Sequence, residues 1–193
     1  MKLNKVYAVG VGPGSPKYIT SVVKDVISQC DVVIGYDYTN KIIEEFIKEK
    51  RIVTVTMMNQ EEVYQKVASE GNHTILVPFT GDVNFSESEV VDRLIEIFDE
   101  VEIIPGISSI QVAAARARIP IDKSKIITMH VSTSIEENLL ENQLDRNKNF
   151  PDVYYIILDE YPSNESLKKY SFPFISIILV LPVEEKSESF KEY

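Results

Sequence analysis

Apolar positions along this chain alternate between two rhythms, and that alternation predicts the fold class. Ile19, Val22, Val23, Val26, Ile27 and Cys30 fall at offsets 0, 3, 4, 7, 8 and 11, which lays one stripe along a helix. Similar stripes recur at Ile42, Ile43, Phe46 and Ile47, at Val63, Tyr64, Val67 and Ala68, and at Val90, Val91, Leu94, Ile95 and Phe98. Between them lie short runs that are mostly apolar: Val6 to Val9, Asp31 to Ile34, Ile52 to Val55, Thr74 to Phe79 and Val101 to Ile104. Strands apolar on both faces belong in a parallel sheet covered by helices on both sides. The first half is therefore expected to be α/β.

A helical pattern from Ile107 to Arg118 leads into Ile119-Pro-Ile-Asp-Lys-Ser-Lys125, which is polar, contains a proline and reads as a linker. This predicts two α/β domains, residues 1–118 and a smaller one over 119–193. The second has strand candidates at Ile126 to Val131, Val153 to Leu158 and Phe174 to Leu181, with helix-prone stretches at Ile135 to Leu144 and Ser163 to Tyr170. Its charged tail, Glu184 to Tyr193, is expected to fray.

At 193 residues the chain is long enough to bury a core without staples. Its 20 Lys and Arg against 30 Asp and Glu leave a net charge of −10, which repels a nucleic acid backbone. The single cysteine, Cys30, excludes an internal disulfide and completes an apolar stripe, so it reads as core. No apolar run reaches the ~20 residues of a membrane helix. Met1 to Lys5 leads straight into a strand with no signal-peptide pattern, so the expectation is a cytoplasmic enzyme that engages neither membrane nor nucleic acid.

Ligands of open parallel sheets sit beyond the carboxyl ends of the strands, where loops and helix N-termini gather. Three glycine-containing loops occupy such places: Gly10 to Pro16, Thr80 to Ser86, and Pro105 to Ser109. In the first, glycines either merely turn the chain or let a ligand touch bare backbone. A dinucleotide fingerprint needs G-x-G-x-x-G, but Gly14 comes one position early, Ser15 stands in the third glycine's place, and Pro13 and Pro16 obstruct the turn. No phosphate loop is present, since neither Gly-Lys-Ser nor Gly-Lys-Thr occurs. In the second loop Asp82 either caps its own backbone or accepts from ligand hydroxyl or amino groups, while Phe85 offers cover for an apolar face. In the third, Ser108 and Ser109 either cap a helix or leave a hydroxyl or N–H for a ligand.

Read in order, GVGPGSPKYIT at 10–20, GDVNF at 81–85 and PGISSIQVAAARARIP at 105–120 resemble the tetrapyrrole methylase family. Asp31-Val-Val-Ile-Gly35-Tyr36 and the short length are most similar to the branch that methylates C5 of cobalt-precorrin-7. The resemblance implies two α/β domains with a ligand cleft between them and S-adenosylmethionine as methyl donor. It further implies transfer to a corrin ring carbon, C5, of a cobalt-precorrin in cobalamin biosynthesis. Pro13, Gly81, Asp82, Phe85, Ser109 and Ile110 are the implied donor contacts, and a homodimer, with or without a companion precorrin methyltransferase, the implied assembly. The same fold leaves open methylation of another tetrapyrrole position or of a protein side chain, or donor binding without transfer. The sequence departs from the family pattern at Val83, where proline is usual after Gly-Asp, at Ser86 and Glu87, and at Met129-His130-Val131-Ser132, where relatives often carry His-Gly-Arg.

Methyl transfer from a sulfonium is an in-line displacement in which positive charge leaves sulfur, so the protein mainly positions the pair and excludes water. No residue is singled out as a base. His130 is a candidate by the family layout, with a purely structural role as the alternative. A corrin substrate carries several carboxylates whereas this chain is acidic, and Arg116, Arg118, Lys123 and Lys125 are the cations that would have to converge, unless they are simply a solvated helix end and linker. Asp159 and Glu160 have no neighbouring ligand set, so no metal site is expected.

Overall fold

The computed structural model describes residues 3–85, 87–129, 153–158 and 176–180. They fall into two compact units, Met1–Ser109 and Ile110–Tyr193.

The first unit is built on five parallel strands, β1 (Lys5–Gly10), β2 (Val32–Gly35), β3 (Arg51–Thr54), β4 (Thr74–Phe79) and β5 (Glu100–Ile104), in the order β3-β2-β4-β1-β5. Between them run α1 (Ser21–Gln29), the short α2 (Asp37–Ile42) and α3 (Glu44–Ile47), α4 (Gln60–Glu70) and α5 (Ser88–Ile97). The expected alternation is thus present, and residue parity explains how both faces are covered. Val6, Ala8, Val32, Ile34, Ile75 and Val77 point to one side, where Tyr64 and Val67 of α4 and Val91 and Leu94 of α5 bury them. Tyr7, Val9, Val33 and Leu76 point to the other, against Val23, Val26 and Ile27 of α1 and Ile43 and Ile47. Leu94 is fully buried, and truncating such a side chain to alanine costs about 2–5 kcal/mol.

Three details differ from the periodicity. The stripe at residues 42–47 is two helices, because Ile43 leaves helical geometry (φ −109°, ψ 11°) and serves as the boundary between them. Val22 and Ile95 flank their stripes and are 54% and 55% exposed: with 3.6 residues per turn, only part of an i, i+3, i+4 set reaches the sheet. The edge strands β3 and β5 are largely exposed. On β5 the carboxylates of Glu100 and Glu102 converge on Lys5 at 2.9 and 3.1 Å, which places charge where an unpaired strand edge would otherwise recruit another chain.

α1 begins where Thr20 caps it by accepting the Val23 N–H at 3.3 Å. The central strand β4 contains Pro78, which has no N–H to donate. The β2–β4 pairing runs only from Val32 and Ile75 to Val33 and Leu76, so Pro78 lies beyond it, and its ring takes the space that a side chain on Gly35 would need.

The second unit contains all but the first residue of α6 (Ser109–Ala117) and a three-stranded sheet in the order β6 (Ser124–Met129), β7 (Val153–Leu158), β8 (Ser176–Val180). β6 and β7 are parallel, and β7 and β8 antiparallel. α6 closes with Arg118 at φ 57°, its N–H bonded to the Ala115 carbonyl and that of Ile119 to the Ala114 carbonyl. This is a Schellman-type stop, followed by Pro120. The segment expected as a linker contains a 3-10 turn, Ile121–Lys123. The helices expected at 135–144 and 163–170 lie outside the described residues. No helix among the described residues is long and apolar enough to cross a membrane.

Candidate functional site

The helices that follow β1 and β2 cover one face of the sheet, and those around β4 cover the other. β1 and β4 are neighbours, so their chains leave the sheet toward opposite faces and open a crevice at their carboxyl ends, the usual position for a ligand in such a sheet. The three glycine loops follow β1, β4 and β5, the last three strands of the order, and meet there.

Their junction is made of backbone. Val11 N–H bonds to the Phe79 carbonyl at 2.8 Å, Gly12 N–H to the Gly81 carbonyl at 3.2 Å, and Gly81 N–H to the Gly12 carbonyl at 2.8 Å. A Cβ on Gly10 would lie 2.6 Å from both the Gly106 nitrogen and the Gly81 oxygen, and one on Gly106 would collide with the Gly81 and Gly10 carbonyls. Only glycine allows three strand ends to approach this closely. Gly81 is different: it needs glycine for its φ of 75°, yet a Cβ there would have no atom within 4 Å. Its missing side chain borders open space.

Asp82 makes the backbone cap that was one of its two readings, and a second bond that links two loops. Oδ1 accepts the Asn84 N–H at 2.6 Å, closing an Asx turn, and Oδ2 accepts the Gly106 N–H at 3.1 Å. Each oxygen keeps a further lone pair, so the half-buried carboxylate retains acceptor capacity. Val83, standing where the family favours proline, is buried in the core. Phe85 N–H bonds back to the Asp82 carbonyl at 3.1 Å, and its ring is partly exposed. Ser15 caps the 3-10 turn Pro16–Tyr18, and Pro13 is partly exposed. In the third loop Ser109 opens α6, and Ile110 behind it is buried.

One group was not picked out by sequence reasoning. Thr80 Oγ1 is buried and has no hydrogen-bond partner among the described residues, immediately before Gly81. A hydroxyl at a strand's carboxyl end beside a Gly-Asp pair was the available signal. Of the other candidates, Arg116 is exposed, Arg118 closes α6, and the side chains of Lys123 and Lys125 lie outside those described, as do His130, Asp159 and Glu160. Among the described residues, no group of three or more His, Cys, Asp or Glu is arranged to hold a metal.

Backbone thus crosses closely at Gly10, Gly81 and Gly106, with the Asp82 carboxylate and the partly exposed Phe85 in the loop after β4. Residues 5–161 match the Tetrapyrrole (Corrin/Porphyrin) Methylases family. The chain belongs to the tetrapyrrole methylase family. Among relatives, it is 33% identical over 141 residues to a "Probable cobalt-precorrin-7 C(5)-methyltransferase" of Methanocaldococcus jannaschii, covering 70% of this chain and 64% of that protein. It is 34% identical over 122 residues to a cobalt-precorrin-4 C(11)-methyltransferase of the same organism, covering 60% and 47%. The chain thus spans less than two thirds of the length of these two relatives. Its fold is that of solved tetrapyrrole methylases: the TM-score is 0.63 to the methyltransferase CobJ, at 17% identity, with 92% of this chain and 86% of that one covered. It is 0.62 to the cobalt precorrin-4 methyltransferase CbiF, at 19% identity, with 92% and 85% covered. In this member of the tetrapyrrole methylase family, the three loops that carry the sequence resemblance meet at one backbone junction.

Proposed function

We propose that the protein is an S-adenosylmethionine-dependent C-methyltransferase acting on a cobalt-precorrin in cobalamin biosynthesis, with C5 as the ring carbon modified. The observation that carries the reading is the junction of the three loops, with the open side of Gly81 next in sequence to the spare acceptor capacity of Asp82.

In this reading Asp82 and the unpartnered Thr80 hydroxyl bind hydroxyl and amino groups of the donor, the Gly81 backbone lies against it, and Phe85 covers its apolar face. Pro13, Ser109 and Ile110 complete the contacts. The donor supplies an activated methyl group, and the protein's work is to hold donor and ring carbon in line and keep water out. The preference for C5 follows the first relative's printed name. Assembly as a homodimer belongs to the same reading, and a monomer in sedimentation at working concentration would remove it.

Calorimetry with S-adenosylmethionine and with S-adenosylhomocysteine tests the donor site. Binding in the micromolar range is expected, and absence of binding of either compound by folded protein at high micromolar concentration overturns the proposal. Mass spectrometry of products from candidate corrin intermediates then separates C5 from other ring positions.

A further inference from the structure

The carboxyl end of β2 carries a feature that the donor site does not use. Tyr36 follows Gly35 in extended geometry, and its ring stacks on that of Tyr38 with centroids 5.5 Å apart and planes 18° from parallel. The pair is held in place from several sides. The Tyr36 hydroxyl donates to Gln60 Oε1 at 3.1 Å, and Gln60 is buried at the start of α4. The same hydroxyl lies 3.6 Å from Met57 Sδ. Thr39 Oγ1 donates to the Tyr36 carbonyl at 2.9 Å, and Asn40 Nδ2 to the Gly35 carbonyl at 3.1 Å.

On this rigid base sits apolar surface. Tyr38 is 52% exposed, Met57 71% and Met58 95%. Single exposed apolar residues are ordinary, but a stacked aromatic pair with the Met57 thioether beside it and the exposed Met58 next in the chain is a polarizable patch suited to a flat conjugated partner. Its location fits such a partner. β2 neighbours β4, the strand that carries the Gly81-Asp82 loop, and their ladder ends at Val33 and Leu76, so the two strand ends are no longer paired where the loops begin. Glu87, just past Phe85, is close enough to act electrostatically on Tyr36, adding to the burial that raises that phenol's pKa.

We propose that Tyr36, Tyr38, Met57 and Met58 form a subsite for the flat face of the tetrapyrrole substrate, on the β2 side of the donor loops. This rests on the methyltransferase reading above. It also accounts for how a chain of net charge −10 would take up a polycarboxylate: affinity comes from stacking and apolar contact with the ring, while its rim carboxylates stay in water.

The test uses cobyrinic acid, a stable cobalt corrin polycarboxylate, followed by its visible spectrum, with S-adenosylhomocysteine followed by calorimetry. Full-length protein is compared with Tyr38→Ala/Met58→Ala and with Val22→Ala, an exposed change on α1. The double variant is expected to bind cobyrinic acid about tenfold more weakly and S-adenosylhomocysteine as the parent does, with Val22→Ala unchanged for both. Unchanged corrin affinity in the double variant, or an equal loss of S-adenosylhomocysteine, overturns the subsite and leaves the methyltransferase reading standing. If the parent protein binds S-adenosylhomocysteine but not cobyrinic acid, the corrin reading fails and the subsite with it. If it binds neither, the donor reading fails.

Discussion

Asp82 accepts the backbone N–H of Gly106 across 3.1 Å and so fastens the loop after β4 to the loop after β5, reaching past β1 between them. Its other oxygen closes the turn at Asn84. A carboxylate that bonds two backbone donors positions the proposed donor site before it touches any ligand. Asp82→Ala removes both bonds, and hydrogen bonds to a charged group are worth about 1.5–3 kcal/mol. The expected outcome is a loss of that order in urea unfolding, together with loss of S-adenosylhomocysteine binding. Unchanged stability would show that the loops are held without Asp82.

The glycines of the junction are expected to separate into two classes. Alanine at Gly10 or Gly106 forces backbone apart, and overpacking of this kind costs about 1–3 kcal/mol or more. Alanine at Gly81 meets no atom within 4 Å, so its cost is the left-handed backbone alone, about 1–2 kcal/mol, but its methyl group enters the space assigned to the donor. Unfolding midpoints should fall further for Gly10→Ala and Gly106→Ala than for Gly81→Ala. Ligand titration should single out Gly81→Ala as the variant that stays folded and loses affinity.

This separation also shows what was legible in the sequence. Val6 to Val9 and Thr74 to Phe79 announce strands because both of their faces are apolar, and the loops beyond them announce a ligand edge. The mutual contact of Gly10, Gly81 and Gly106 depends on the order β4-β1-β5, which is a long-range pairing that no local periodicity encodes. For the same reason the Asp82 to Gly106 bond was invisible, whereas the local Asx turn to Asn84 was one of the two readings of the loop. Tyr36 and Tyr38 are two residues apart, and only the turn from β2 into α2 brings their rings into a stack.

At the opposite edge of the sheet Arg51 makes a two-pronged contact with Glu70, one arm at 3.0 Å. That hydrogen bonding, helped by His73, holds the Glu70 carboxyl at about 2, below its ordinary 4.5. A carboxylate with a lowered folded-state pKa stabilises the fold above its unfolded pKa, and the contribution fades as pH falls from about 4.5 toward 2. The melting-temperature difference between the parent and Arg51→Met should therefore shrink as pH falls below about 4. Because both side chains are partly exposed, the difference should also shrink in high salt. A gap that persists at pH 2.5 and in high salt would assign the effect to packing of the arginine stem.

Cys30 is buried, and burial pushes its thiol up to about 12. The thiolate is the reactive form, so little of it exists at pH 8. A thiol reagent added to native protein at that pH should report no thiol within minutes, and one per chain in denaturant. Rapid labelling of the native protein would mean that the end of α1 opens readily.

Thr80 distinguishes a group kept for the fold from one kept for a ligand. Its buried hydroxyl has no partner among the described residues, and an unsatisfied buried hydroxyl costs about 1–3 kcal/mol. Valine has nearly the same shape and removes that cost, so Thr80→Val should match or exceed the parent in urea unfolding. A ligand that completes the hydroxyl's hydrogen bond would lose that bond in the valine variant. S-adenosylhomocysteine is accordingly expected to bind Thr80→Val about five- to tenfold more weakly, and Thr80→Ser, which restores the hydroxyl, nearly as well as the parent. Lower affinity in a variant that is no less stable cannot be attributed to damage of the fold. Equal affinity in all three proteins would take Thr80 out of the proposed site and leave Asp82 and the Gly81 backbone as its polar wall.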